Sequence, residues 1–307
     1  PYQNENIIKH IAQRFFIPYL AGLVSLFTGI EIFIVFKLFT HFFILLFFYL
    51  IYFYVTKTQF SLKEAILFFS LLALNPYIIR HHIFQPVQAH DILFFSFALM
   101  ISYLIIFNKN KSIIFFGIFP IFLRQTSIAL FIGSLLLLIK NKKYFYCIFS
   151  IIIFIITFRY ISNISNLIST GKFNFIYAYG IFFYDFSQIE RLIRFLMLPI
   201  ISFFPLFIFI FSKIKKTIEI KTFIILLFIC AMMIGQPILA GPDGSLRNVV
   251  RIATLCYPIL VSLIFYTFNV SSITSRNFVY YPFILGLFFW SLHPTFSIFN
   301  FFSILRF

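Results

Sequence analysis

Apolar runs alternate with short polar breaks along the whole chain. A helix needs roughly 20 residues to cross the hydrocarbon of a bilayer, with about 17 to 25 tolerated. On that rule the apolar segments fall at 15–29, 31–55, 65–79, 91–107, 112–123, 126–139, 144–160, 194–212, 222–240, 252–268 and 278–292. They predict an all-α fold, a polytopic membrane helical bundle of about nine to eleven spans joined by short loops. The stretch 112–140 is the least regular, because Pro120, Arg124 and Gln125 stand at its middle. A charged residue at the centre of a span costs about 2.5 to 3.5 kcal/mol. Two shorter helices meeting at the outer face, with RQTS at their junction, avoid that cost. No internal repeat, Gly/Ser linker or long soluble insert interrupts the pattern, so residues 1–307 read as a single transmembrane domain. The chain opens on Pro1 and a polar stretch, and an upstream first span is expected to precede it.

Composition agrees. Mean hydropathy is +1.03, 62% of the 307 residues are apolar and 10% are charged, more hydrocarbon than a water-soluble core of this size encloses. The 52 Phe accompany abundant Ile, Tyr, Asn and Lys, a bias that A+T-rich codons produce unaided, so no aromatic stripe is read as a binding site. The net charge of +16 lies in short loops and never forms a continuous basic face, which argues against nucleic acid as a partner. Cys147, Cys230 and Cys256 have neither CxxC nor CxxH spacing and read as buried small hydrophobes.

Charge type changes the picture. Ten Arg and fourteen Lys are sorted by loop. The connections KTQFSLKE, NKNK, KNKK, SKIKKTIEIK and NVSSITSRN are short and lysine-rich, which assigns them to the cytoplasmic side. The other connections are then outer, and they hold Arg14, Arg80, Arg124, Arg159, Arg191, Arg194, Arg247 and Arg251. The alternation runs without a violation if 15–29 lies on or re-enters the outer face. A positive-inside bias alone predicts no such outer arginines.

The chain has no GxxxxGK[ST], GxGxxG, HExxH, GxSxG or DxD motif, and its inner loops are too short to build a nucleotide site. Polar chemistry converges outside instead: Glu5, His10 and Arg14; then Arg80, His81, His82, His90 and Asp91; then Arg124 and Gln125; then Asp243, Arg247 and Arg251. A carboxylate with several arginines suits removal of a proton from an acceptor hydroxyl while a phosphate leaving group gains charge. Arginine serves phosphate better than lysine because its planar fork binds two oxygens. Arg247 and Arg251, four apart, share a helix face and can clamp phosphate, or anchor lipid headgroups. Asp91 reads equally as a helix cap and as an acid/base residue. His81 and His82 point about 100° apart on a helix, which disfavours both serving one metal with His90 and Asp91. No cofactor is required, and a divalent cation stays open.

Four runs carry a resemblance. QRFFIPYLAGLVSLFTG (13–29), the acid-led HDILFFSFAL (90–99), FLRQTSIALF (122–131) and RNVVRIATLCYPIL (247–260) are similar, in order, to elements of the multispanning glycosyltransferases of the GT-C superfamily. The resemblance implies a GT-C-like fold in a bacterial inner or endoplasmic-reticulum-type membrane. It also implies transfer of a sugar from a polyprenyl-phosphate donor to a lipid, glycan or protein acceptor at the outer or lumenal face, with inversion at the sugar carbon. Asp91 or Glu5 would then be catalytic, with Arg14, Arg80, His81, His90, Arg124, Gln125, Arg247 and Arg251 binding substrate. The family's usual catalytic Asp in the first outer loop has no counterpart here, Glu5 being the only acid before Arg14. Either Glu5 substitutes, or the acid lies upstream of Pro1, or the chain is a noncatalytic subunit of the same fold. A transporter or flippase for a lipid-linked or anionic solute is the alternative from another class.

Overall fold

The computed structural model describes residues 14–168, 203–214, 218–239 and 253–292. These residues are almost entirely helical, and none of them forms a named strand. In chain order the helices are α1 (Phe16–Thr28), α2 (Ile32–Thr58), α3 (Leu62–Ala73), α4 (Arg80–Phe84), α5 (Ala89–Ile106), α6 (Asn110–Ile118), α7 (Ser127–Lys140), α8 (Tyr144–Ile168), α9 (Ile220–Leu239), α10 (Tyr257–Thr267), α11 (Ser271–Thr274) and α12 (Asn277–Leu292). Short 3-10 turns stand at Pro86–Gln88, Phe119–Phe122 and Phe204–Phe211, each opening on or beside a proline that lacks the N–H of a longer helix.

Three stretches are long and apolar enough to cross a membrane: Ile32–Thr58, Pro86–Ile106 and Tyr144–Ile164. Their lengths and the apolar faces of α2 and α8 mark a membrane protein. Phe42, Leu45 and Tyr49 on α2, and Ile148, Ile152 and Ile156 on α8, stand exposed in contiguous rows that water would not tolerate. The remaining apolar helices are shorter. With 13 residues, α1 reaches only about 20 Å, less than the hydrocarbon thickness.

Helix boundaries follow local chemistry. Gly29 ends α1 in the left-handed conformation, its N–H bonded to Ser25 O at 2.9 Å. Ser61 and Glu64 form a reciprocal capping box that starts α3. The predicted segment 65–79 instead ends as a helix at Ala73, because Pro76 cannot continue it and Asn75 Oδ1 accepts the Tyr77 N–H at 3.0 Å to form a turn. Within 112–140 the chain makes two short helices, α6 and α7, parted by the Pro120 turn and residues 123–126.

At the centre is α5. Every residue from Ala89 to Ile105 is buried, with α2, α6, α7, α9 and α10 packed around it. A helix apolar on all sides can face either lipid or other helices, and here its neighbours enclose it. Small residues let α6 and α7 approach closely: a Cβ placed on Gly117 would come within 2.9 Å of Ser134 Cβ.

The lysine-rich connections meet at one end of this bundle. Lys63 Nζ donates to Asn277 Oδ1 at 2.6 Å, and Lys140 Nζ donates to Asn108 Oδ1 at 3.1 Å and Thr222 Oγ1 at 2.7 Å. Asn141 Nδ2 donates to Asn110 Oδ1 at 2.7 Å, and the Asn269 N–H donates to Lys213 O at 2.8 Å. These bonds tie all five lysine-rich loops into one polar surface.

Candidate functional site

At the other end, the chain from Asn75 to Asp91 folds into a compact hairpin of turns. After the Asn75 turn, the His81 N–H bonds Pro76 O at 2.9 Å and α4 begins. The following Pro86–Gln88 turn is held against α2, where the buried Thr40 hydroxyl lies 2.9 Å from Phe36 O and 3.2 Å from Pro86 O. That contact sets the entry of α5 and therefore the place of His90 and Asp91 in its first turn.

Asp91 is fully buried, and its carboxylate is the hub. Arg124 donates through a guanidinium nitrogen 2.7 Å from Oδ1, His90 Nε2 lies 3.1 Å from the same oxygen, and His82 Nε2 lies 3.6 Å from Oδ2. His82 is also fully buried; its Nδ1 lies 2.5 Å from Ile78 O, so Nδ1 carries the proton and Nε2 faces the acid. The ring rests edge-on against Phe95, with centroids 5.8 Å apart. Arg124 reaches Asp91 from the break between α6 and α7. Its own N–H bonds Pro120 O at 3.1 Å, and its carbonyl accepts the Ser127 hydroxyl. Burying a guanidinium and a carboxylate is tolerable only when the two meet, and here they do.

Arg14 comes to the same place by aromatic packing. Phe16, at the start of α1, sits against Phe119 and Phe122 with ring centroids 5.7 Å from each, on the very turn that leads to Arg124. Arg14 thereby lies within electrostatic reach of His90, as does Arg124.

Other expected residues are placed elsewhere. Arg80 donates to Ser291 O at 2.8 Å near the end of α12 and lies over the Phe84 ring, so it ties the last described helix to α4. His81 Nε2 lies 3.0 Å from Gln88 Oε1 and braces the turn, while its neighbour His82, absent from the expected binding set, turns inward. Gln125 is half-buried beside Arg124, its carbonyl accepting the Ile128 N–H at 3.1 Å. Glu5, Arg247 and Arg251 lie outside the described residues. So do Arg191, Arg194 and Asp243.

The cluster brings one carboxylate, one guanidinium and two imidazoles together. Among the described residues no group of three or more His, Cys, Asp and Glu side chains is placed to hold a metal ion, and Arg124 engages Asp91 Oδ1. What the arrangement offers is a guanidinium locked in one orientation by a carboxylate, with an imidazole on either side. Comparison of the chain with protein-family models, with curated proteins and with solved structures found no match in any of the three. Functional assignment therefore rests on the residues.

Proposed function

We propose that the chain is a membrane glycosyltransferase of GT-C type, with about nine to eleven spans. It would move a sugar from a polyprenyl-phosphate donor to a lipid, glycan or protein acceptor at the outer or lumenal face. The observation that carries this reading is the buried Arg124–Asp91 pair at a helix break, with His82 and His90 on the carboxylate and Arg14 close by. Arginine at membrane depth marks a substrate site by default, and a fork fixed by an acid is preorganised for phosphate oxygens.

Asp91, expected as a catalytic residue, takes another part in this reading. Asp91, engaged by Arg124 at 2.7 Å, serves as the positioning residue of the phosphate-binding arginine. His90, 7% exposed and 3.1 Å from Asp91, would exchange a proton with an acceptor hydroxyl. Glu5 remains the other candidate acid, and Arg247 or Arg251 would complete the phosphate clamp.

The test is transfer of label from radiolabelled polyprenyl-phosphate sugars to acceptor lipids by the purified protein. Arg124→Lys keeps the charge but loses the fork, and is expected to lower transfer by about 10²-fold or more. Absence of transfer from every donor tried, with uptake of an anionic solute into vesicles instead, would replace this reading by the second one. That second reading, proton-linked transport, is favoured by the contact of one carboxylate with two imidazoles inside an apolar bundle.

A further inference from the structure

Opposite Asp91, among the lysine-rich loops, the ends of α2 and α5 and the starts of α6 and α8 enclose a cleft of about 500 Å³. Its wall is apolar and aromatic, formed by Phe53, Met100, Tyr103 and Phe116. Its rim carries Lys109, Lys111 and Lys143. Two of these lysines occupy equivalent places. Asn108 closes α5 and Lys142 closes α7 in the left-handed conformation (φ 53° and 56°), and the next residue bonds back in each case: the Lys109 N–H to Leu104 O and the Lys143 N–H to Leu138 O, both at 2.8 Å. The rim is therefore a pair of ordered helix ends rather than loose loop.

Charge on the rim is unanswered within the described residues. Lys140, alongside, is 2.5 Å from Glu219. Of the other described acids, Glu64 caps α3, Asp91 holds Arg124 and Glu31 stands at the start of α2, far along that helix from Phe53. Three cations above an apolar slot of this size, at the water boundary of a membrane protein, are the complement of an amphiphile with an anionic head. The first turn of α6 adds backbone N–H groups at the same rim.

We infer that this cleft seats an anionic phospholipid, its phosphate among Lys109, Lys111 and Lys143 and an acyl chain against Phe53 and Phe116. The site is separate from the Asp91 cluster, and its occupancy does not depend on the chain being a transferase.

The full chain, reconstituted in nanodiscs of phosphatidylcholine with a minor fraction of phosphatidylglycerol, is released and its retained lipids are counted by native mass spectrometry. Wild type is expected to keep phosphatidylglycerol selectively. Combined Lys109→Gln, Lys111→Gln and Lys143→Gln is expected to lower that retention by at least roughly tenfold, since each lysine near a membrane surface contributes on the order of a fivefold preference. Combined Lys63→Gln, Lys213→Gln and Lys221→Gln removes the same charge from the same end and should leave retention within about twofold, because these lysines lie outside the cleft. Combined Lys109→Arg, Lys111→Arg and Lys143→Arg should keep retention at the wild-type level, which separates lost binding from a lost fold. Equal retention by the cleft and control variants overturns the inference. So does displacement of the lipid by millimolar inorganic phosphate, which would make the site one for soluble phosphate.

Discussion

A single carboxylate decides the electrostatics of the candidate site. Asp91 and Arg124 are both almost fully buried, and each offsets much of the other's desolvation. Removing one partner strands a charge, and Asp91→Ala or Arg124→Ala is expected to destabilise by about 3 to 5 kcal/mol, whereas the double variant should cost less than the sum. Reversible unfolding in mixed micelles measures this, and strictly additive losses would contradict the pairing. The sequence shows that Asp91 and Arg124 are costly where they stand, and so points to both. It also shows that His81 and His82 cannot face the same way. Which of them turns inward depends on the phase of a five-residue helix, set by the Asn75 turn and Pro76, and so His82 escapes a reading made from spacing alone.

Helix positions were legible wherever the period of burial was long and a chemical stop stood at its end. Pro120 between α6 and α7 breaks the helix as its place in 112–140 leads one to expect, and Gly29 after α1 and the Ser61/Glu64 box before α3 are stops of the same kind. Less legible was α3, since an apolar run such as LNPYII reads as continuing a span until the proline is allowed its veto. Close packing of helices is likewise hidden, being a matter of partners. Gly117 meets Ser134 Cβ, which cannot rotate away, so Gly117→Ala is expected to cost about 1 to 3 kcal/mol. Gly22→Ala on α1 meets nothing within 4 Å and should be neutral or stabilising by up to about 1 kcal/mol, through helix propensity. Thermal unfolding of the two variants side by side checks the contrast, and equal shifts would refute it.

At the scale of the molecule, and among the described residues, the lysine-rich loops and the Arg124 cluster stand at two ends of one bundle. The lysine loops bond to each other, and the Arg14, Arg124 and Asp91 cluster stands at the opposite pole. This much is readable because topology depends on loop composition alone. Depth in the bundle is not: Pro86–Ile106 and Tyr144–Ile164 are similarly apolar, yet 89% of the first and 17% of the second is buried. Side assignment can be measured after replacing the buried Cys147, Cys230 and Cys256. Val87→Cys is expected to react with a membrane-impermeant thiol reagent applied outside intact cells, and Lys142→Cys only after permeabilisation. The reverse pattern would invert the orientation.

The distance between Asp91 and Arg124 along the chain, 33 residues, also has a history in time. Ribosomes add about 5 to 20 residues per second, so the aspartate leaves the ribosome roughly 2 to 7 seconds before the arginine that balances it. During that interval the carboxylate can meet the two histidines that precede it, His82 and His90, but not the guanidinium that holds it in the folded bundle. The pair at the entry of α5 is thus completed only once the break between α6 and α7 has been made.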